Sequence, residues 1–252
     1  MALLLSLILI FSFSFSQVSV RQTLKEIQPG IYGVFGTYEQ VSKKNRGFIS
    51  NAYFVVTKDG VIVFDALSTY RLGRELVESI RSITKKPIKY LVVSHYHTDH
   101  FYGAKALKDA GAIIVAHPWS YEYLSGEESQ RMFMARKELL GKELKGTELL
   151  PPDITTSSSL TIHLGGEKFE VHHWCRAHTN GDIVMYMPSK RVLFAGDLVF
   201  GGRVPFLGSG NSKTWIECLD RIIQIKPQIL LPGHGPYLIG EKEICLLYTS
   251  DA

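Results

Sequence analysis

Four residues within six positions constrain this chain more than any other feature. His95, His97, Asp99 and His100 directly follow the apolar run at residues 88–94. That run reads as a buried strand, so the motif sits at a strand end, where loops carry chemistry. His95 and His97 are two apart and would share one side of an extended segment. A turn can then bring Asp99 and His100 round to a neighbouring point. Neutral imidazole and carboxylate are the donors expected around zinc. With nine histidines in 252 residues, four specified positions in this register would arise by chance in roughly four chains in ten thousand. A solvent-exposed polar loop after a strand is the plain alternative, and it does not call for this spacing.

The rest of the chain reads as a folded domain around that motif. At 252 residues, with 45% hydrophobic and 21% charged content, one domain with an ordinary core is expected. The net charge of +4 is scattered. Its short runs, at residues 43–46 and 85–86, read as solvated faces, so no nucleic-acid partner is expected. Residues 1–16 carry no charge, and residues 2–11 are apolar apart from Ser6. That stretch is too short to span a bilayer comfortably and reads as a secretory signal cleaved before Gln17, which makes the mature protein exported, periplasmic or secreted. The folded domain is then residues 17–243. Three cysteines, Cys175, Cys218 and Cys245, do not describe a disulfide framework. Cys175 and Cys218 read as small buried hydrophobes rather than metal ligands, and sequence cannot place a bridge.

Periodicity supplies the elements. Residues 51–57 and 61–65 are apolar, β-branched runs joined by Lys58-Asp59-Gly60, a hairpin signal. Residues 70–84 show helical spacing, with Leu72, Leu76, Ile80 and Ile83 on one face. A helix over 101–110 ending at Gly111, a strand over 112–116 and a helix over 118–145 follow. Strands are expected over 160–164, 169–174, 183–187 and 191–195. A helix over 214–225 and a strand over 229–231 lead into Gly233-His234-Gly235. Strands followed by helices in each half favour mixed sheets with outer helices, an α/β (α+β) architecture.

The segment His95-x-His97-x-Asp99-His100 resembles the HxHxDH signature of the metallo-β-lactamase superfamily. Further motifs stand in the same order: Val63-Phe64-Asp65, Ala177-His178-Thr179-Asn180-Gly181-Asp182, Phe194-Ala195-Gly196-Asp197 and Pro232-Gly233-His234-Gly235. The resemblance covers about residues 51–236 and implies a four-layer αββα sandwich with the site at one edge of two sheets. It implies that His95, His97 and His178 hold a first metal, that Asp99, His100 and His234 hold a second, and that Asp197 bridges them. The cofactors implied are two zinc ions, although the same donors accept iron or manganese. Such a pair leaves room for a bridging water or hydroxide as nucleophile. Asp99 is the implied catalytic acid–base. Asp65 and Asp182 read as carboxylates that fix ligand orientation. His117, His163, His172 and His173 read as packing or surface residues.

The resemblance also narrows the chemistry. His97 stands where the di-iron redox branch has glutamate, and Asp197 stands where one lactamase subclass has a metal-binding cysteine. The chain has no length for the inserted domain of the nuclease branches. The nearest look is to exported hydrolases close to glyoxalase II, without that group's helical substrate domain. Hydrolysis of a small ester, thioester or amide-like substrate is therefore expected. A β-lactamase, a single-iron sulfur dioxygenase and an inactive metal-binding relative are the alternatives. Arg203, Phe206, Trp119 and Tyr123 are candidates for lining the pocket. The oligomeric state stays open. Residues 244–252 read as a non-native or truncated tail, with the sandwich's final helix missing.

Overall fold

Strands form where β-branched and aromatic residues run between turn signals, and helices where apolar residues recur every three or four positions. The computed structural model describes residues 18–240 and Glu243. The expected signal segment at 1–16, the tail at 244–252 and Cys245 lie outside those described residues.

A first sheet has seven strands in sequential order: β1 (Lys25–Gln28), β2 (Ile31–Val34), β3 (Ala52–Val56), β4 (Val61–Phe64), β5 (Ile88–Val92), β6 (Ile113–Ala116) and β7 (Ile154–Thr155). Its first four strands are antiparallel, and β4 through β7 are parallel. The parallel crossovers carry helices, as they must. These are α1 (Tyr70–Ile83), α2 (Thr98–Phe101), α3 (Ala104–Asp109), α4 (Trp119–Ser125) and α5 (Glu127–Leu140). The second sheet pairs β8 (Ser159–Leu164), β9 (Glu167–His172), β10 (Val184–Met187) and β11 (Val192–Phe200) antiparallel. After α6 (Ser212–Ile225), β12 (Ile229–His234) joins β11 in parallel, and β13 (Leu238–Ile239) closes the edge.

Alternation along each strand sorts residues into layers. Tyr53, Val55, Ile62, Phe64 and Val92 face inward and meet Phe169, Val171, Met185, Phe194 and Leu231 of the second sheet. The intervening Phe54, Val63 and Leu91 face outward, against Leu72, Leu76 and Ile80 of α1 and Leu107 of α3. On the far side, Leu193, Ala195 and Leu230 pack against Trp215, Cys218 and Ile222 of α6. Both faces of the central strands are covered, which is why they read as continuous apolar runs. The expected αββα sandwich is the fold observed.

Local chemistry sets several boundaries. Thr69 caps α1, its hydroxyl accepting from the Leu72 N–H at 3.1 Å. Ile83, expected on the buried face, is 42% exposed at the last residue of α1. The single helix expected over 118–145 is instead two helices interrupted at Gly126 and followed by a 3-10 turn at Gly141–Leu144. Extended backbone at Gly126 makes the break, and Gly141, at φ 56°, ends α5 in the left-handed region. The helix expected over 101–110 likewise starts earlier and breaks at Tyr102–Gly103. Gly103 and Gly73 of α1 approach so closely that a side chain on either would meet backbone.

Cys175 and Cys218 form a disulfide, with Cα atoms 6.0 Å apart. Sequence left a bridge open without placing it, and neither cysteine joins the metal-ligand groups among the described residues. The bond ties the loop after β9 to the buried face of α6, where Cys218 packs with Trp215 and Ile222.

Candidate metal centre

The two sheets each deliver part of one cluster. Strand β5 runs out through Val93 and Ser94 into His95. The short helix α2 then carries Asp99 and His100, with His97 at its N-terminal boundary. From the second sheet come His178, Asp197 on β11 and His234 at the end of β12. All seven residues expected from the sequence are brought together. His95, His97 and His178 form one group, Asp99, His100 and His234 another, and Asp197 joins His95 and His100 in a third. The donor atoms within each group lie within 4.8 Å of one another.

Backbone irregularity makes this convergence possible. Asp65, just past β4, has a left-handed φ of 65°, an uncommon conformation that surrounding bonds must hold. Its carboxylate accepts from the Ser94 N–H at 2.7 Å and hydroxyl at 2.8 Å, and bonds His100 Nδ1 at 2.8 Å. On β11 the register against β12 shifts around Gly196, at φ 54°, immediately before Asp197. Such a bulge re-aims the next side chain. Opposite it, a Cβ on Gly233 would collide with Asp197 Oδ1, so only glycine leaves room for that carboxylate. The Asp182 carboxylate gathers the His178 loop, accepting from the N–H groups of Ala177 and Thr179 and from the Thr179 hydroxyl at 2.7 Å.

Each imidazole is held by its outer nitrogen, apart from His97. Nδ1 of His95 meets the Ser94 hydroxyl, that of His100 meets Asp65, that of His178 bonds the Phe206 carbonyl at 3.0 Å, and that of His234 bonds the Ile49 carbonyl at 2.8 Å. Nε2 of these four therefore points into the cluster, and His97 presents Nδ1, 2.8 Å from His178 Nε2. Asp197 Oδ2 lies 3.3 Å from His178 Nε2 and 3.4 Å from His234 Nε2, while its Oδ1 lies 3.3 Å from His100 Nε2. Asp99 Oδ2 is 3.3 Å from His234 Nε2 and 3.5 Å from His100 Nε2. Donors about 2.0–2.2 Å from a tetrahedral zinc would stand about 3.3–3.6 Å apart. His95 Nε2 is buried and has no hydrogen-bond partner among the described residues. A buried orphan nitrogen costs energy unless something uses its lone pair. The donor set thus fits divalent cations.

The electrostatics of the protein alone show what such ions would replace. Burial depresses the basicity of His95 and of His178, and brings His97 down to about 4. Burial also opposes charge on His100 and His234, but the carboxylates around them outweigh it. Asp197, Asp99 and Asp65 push His100 well up, and Asp197 and Asp99 push His234 up to about 9. Against their own burial, Asp99 is held well down by His100 and His234, and Asp197 by His234 and His100. Protons on two imidazoles balance two carboxylates, and those protons must leave before a cation binds.

The surroundings are only partly as expected. Phe206 sits on an exposed loop with its ring 6.3 Å from both His97 and His178. Trp119 lines a shallow cleft with Glu122, Arg176 and Asn180. Tyr123 is buried among Tyr96, Phe101 and Trp119, so it is a core residue. Arg203 is half-buried. His117 accepts from the Trp119 N–H at 3.1 Å and packs against His173 with the rings tilted, a capping and packing role. Sequence reasoning missed Ile49, Ser50 and Ser94, which hold ligands through backbone or hydroxyl groups and leave no spacing signal.

Comparison with known proteins agrees with this geometry. The metallo-beta-lactamase superfamily profile matches residues 45–234. A metallo-beta-lactamase type 2 of Bacillus sp. (strain 170) is 27% identical over 80% of this chain and 72% of its own length. A linear primary-alkylsulfatase of Pseudomonas sp. (strain ATCC 19151) is 24% identical over 77% of this chain, which spans only 43% of that longer protein. A metallo-beta-lactamase from Pontibacter korlensis superposes with a TM-score of 0.66 at 24% identity, covering 90% of this chain and 98% of its own. With a profile match over most of its length and a cluster of the matching donor types, the chain belongs to the metallo-beta-lactamase superfamily and is a metal-dependent hydrolase.

Proposed function

We propose that this protein is a binuclear zinc hydrolase acting on a small ester, thioester or amide-like substrate. The observation that carries the reading is the grouping of donors: two sets of three residues, with the Asp197 carboxylate between them. His95, His97 and His178 would hold one ion, Asp99, His100 and His234 the other, and Asp197 would touch both. When bound, two such ions lower the pKa of a water toward neutrality and polarise the substrate's carbonyl oxygen.

The chain's own groups do the rest. Asp99 reaches the two imidazoles of its set with Oδ2 and is buried but not sealed. It is placed to orient an attacking water and then deliver a proton to the leaving group. Asp65 holds the tautomer of His100, leaving Nε2 free. The Phe206 ring beside His97 and His178 offers an apolar wall to the substrate. Export to an oxidising compartment is part of the proposal, supported by the Cys175–Cys218 disulfide. Among the described residues no helix is long and apolar enough to cross a membrane.

The test is metal content of the purified protein, followed by turnover of aryl esters, thioesters, a β-lactam and a sulfate ester. Two zinc ions per chain are expected, and Asp99→Asn should lower turnover about 10²–10⁴-fold. One iron per chain with oxygen consumption would favour a sulfur dioxygenase. Unchanged turnover in Asp99→Asn would remove Asp99 from the mechanism.

A further inference from the structure

The donors are divided between two sheets, so something other than the donors must fix their spacing. Three consecutive residues just before β3 do this for one donor set. The Ile49 carbonyl takes the His234 Nδ1 bond at 2.8 Å. The Ser50 hydroxyl donates to the Asp99 carbonyl. Asn51 then grips the turn that carries His234 from both sides. Its N–H donates to the Gly233 carbonyl at 2.7 Å, and its amide Nδ2 donates to the carbonyls of Pro232 at 3.0 Å and Gly235 at 2.8 Å. The same Nδ2 meets the Tyr53 hydroxyl at 3.0 Å, and that hydroxyl donates to Pro232 at 2.7 Å. Asn51 Oδ1 accepts from the Gly36 N–H.

Asn51 is 1% exposed and its bonds cross from one sheet to the other. A buried amide with both polar atoms engaged is a specific device, since its loss would take from the Gly235 carbonyl the N–H it accepts and leave Pro232 only the Tyr53 hydroxyl. The bracket is itself braced. A Cβ on Gly36 would strike the Ile49 and Ser50 backbone, so the two segments are in contact. Upstream, Arg46 is buried in the left-handed region and bonds Glu75 at 2.5 Å and Glu143 at 3.0 Å. From the first sheet the His178 loop takes a single backbone bond at its end, from the Ile183 N–H to the Ser94 carbonyl at 2.7 Å, among the bonds of the described residues; Asp182, on that same loop, holds the rest.

We propose that Asn51 is a positioning residue that sets the affinity of the Asp99–His100–His234 site, and so decides whether the protein holds one metal or two. Its bonds go to the backbone around His234, to the Gly36 N–H and to Tyr53, not to the donors' metal-facing atoms. The inference rests on the two-metal reading above.

The experiment titrates zinc into the metal-free protein against a chelating indicator and resolves the binding steps. The wild type, Asn51→Ala, Tyr53→Phe and a control, Val55→Ala, are compared. Val55 lies on β3 in the same inter-sheet core as Tyr53, but its side chain has no polar atom to offer the His234 turn. Asn51→Ala should weaken one step about 10–100-fold and leave the other within about threefold, as expected when a ligand's outer partner is lost. Tyr53→Phe, which removes only a hydroxyl, should shift the same step by less, and it carries the test if Asn51→Ala does not fold. Val55→Ala should shift neither step. Two steps in the wild type that stay put in both variants, or that move together, overturn the proposal alone. A single step in the wild type overturns the two-metal reading and this proposal with it.

Discussion

Reducing the Cys175–Cys218 disulfide should cost this protein several kcal/mol, and the loss should be clearest without metal. The two cysteines are 43 residues apart in sequence. Cross-linking a loop of that length removes about 13 cal/mol/K of chain entropy from the unfolded state, or about 4 kcal/mol at 25 °C. For a domain of this size that corresponds to a fall in Tm of roughly 8–16 °C. The loop so closed contains His178 and Asp197, and its ends are already held in the native state. The Asn211 N–H bonds the Ala177 carbonyl at 2.8 Å, and the Thr214 hydroxyl bonds that of Arg176. Little native rearrangement should therefore offset the gain. The assay is urea unfolding of the metal-free protein with and without reductant, repeated on a Cys175→Ala/Cys218→Ala double variant. Bound metal would close the same loop a second way and hide part of the effect. Coincident midpoints for the oxidised and reduced metal-free protein would refute the reasoning.

Three further outcomes are expected. Asp65→Asn should weaken zinc binding about 10–100-fold, because an amide cannot accept from both Ser94 and His100 as the carboxylate does; competition with a chelator measures it. Gly233→Ala should displace Asp197 and abolish joint binding of two ions while leaving the fold, which elemental analysis alongside circular dichroism would show. Zinc binding should release protons and tighten as pH rises. Although burial opposes it, Asp197 and Asp99 raise His234 to about 9, so in the metal-free protein it is protonated at neutral pH. The stability this gives the metal-free chain is complete below about 6.5 and is lost as pH rises through about 9. Zinc affinity should climb across that same window, and calorimetry in buffers of different ionisation enthalpy counts the protons released.

Much of the site was legible because its chemistry is local. His95, His97, Asp99 and His100 lie on one strand end and one helical turn, and His178, Asp197 and His234 each carry a short motif. Helices α1 and α6 were legible from their 3.6-residue apolar spacing. What was not legible depends on long-range partners. The disulfide needed knowledge that α6 lies beside the His178 loop. Tyr123 looked like a pocket residue by its proximity in sequence to the motifs, yet helix α4 turns it toward Tyr96 and Phe101. The antiparallel pair β1 and β2 gave no signal, since its first strand is largely polar and only its pairing with β3 orders it. Asn51 reads as an ordinary strand residue until the His234 turn is placed against it.

The hold on His178 has a consequence for how this site can change. Its outer nitrogen is fixed by the Phe206 carbonyl, a group that every residue possesses. The side chains around it, Val204, Phe206 and Leu207, are all more than half exposed. Ligand geometry and substrate contact are thus written into different atoms of one loop, main chain for the first and side chain for the second. Sequence drift or directed diversification at these three positions can remodel the wall beside the metals while the imidazole stays where it is.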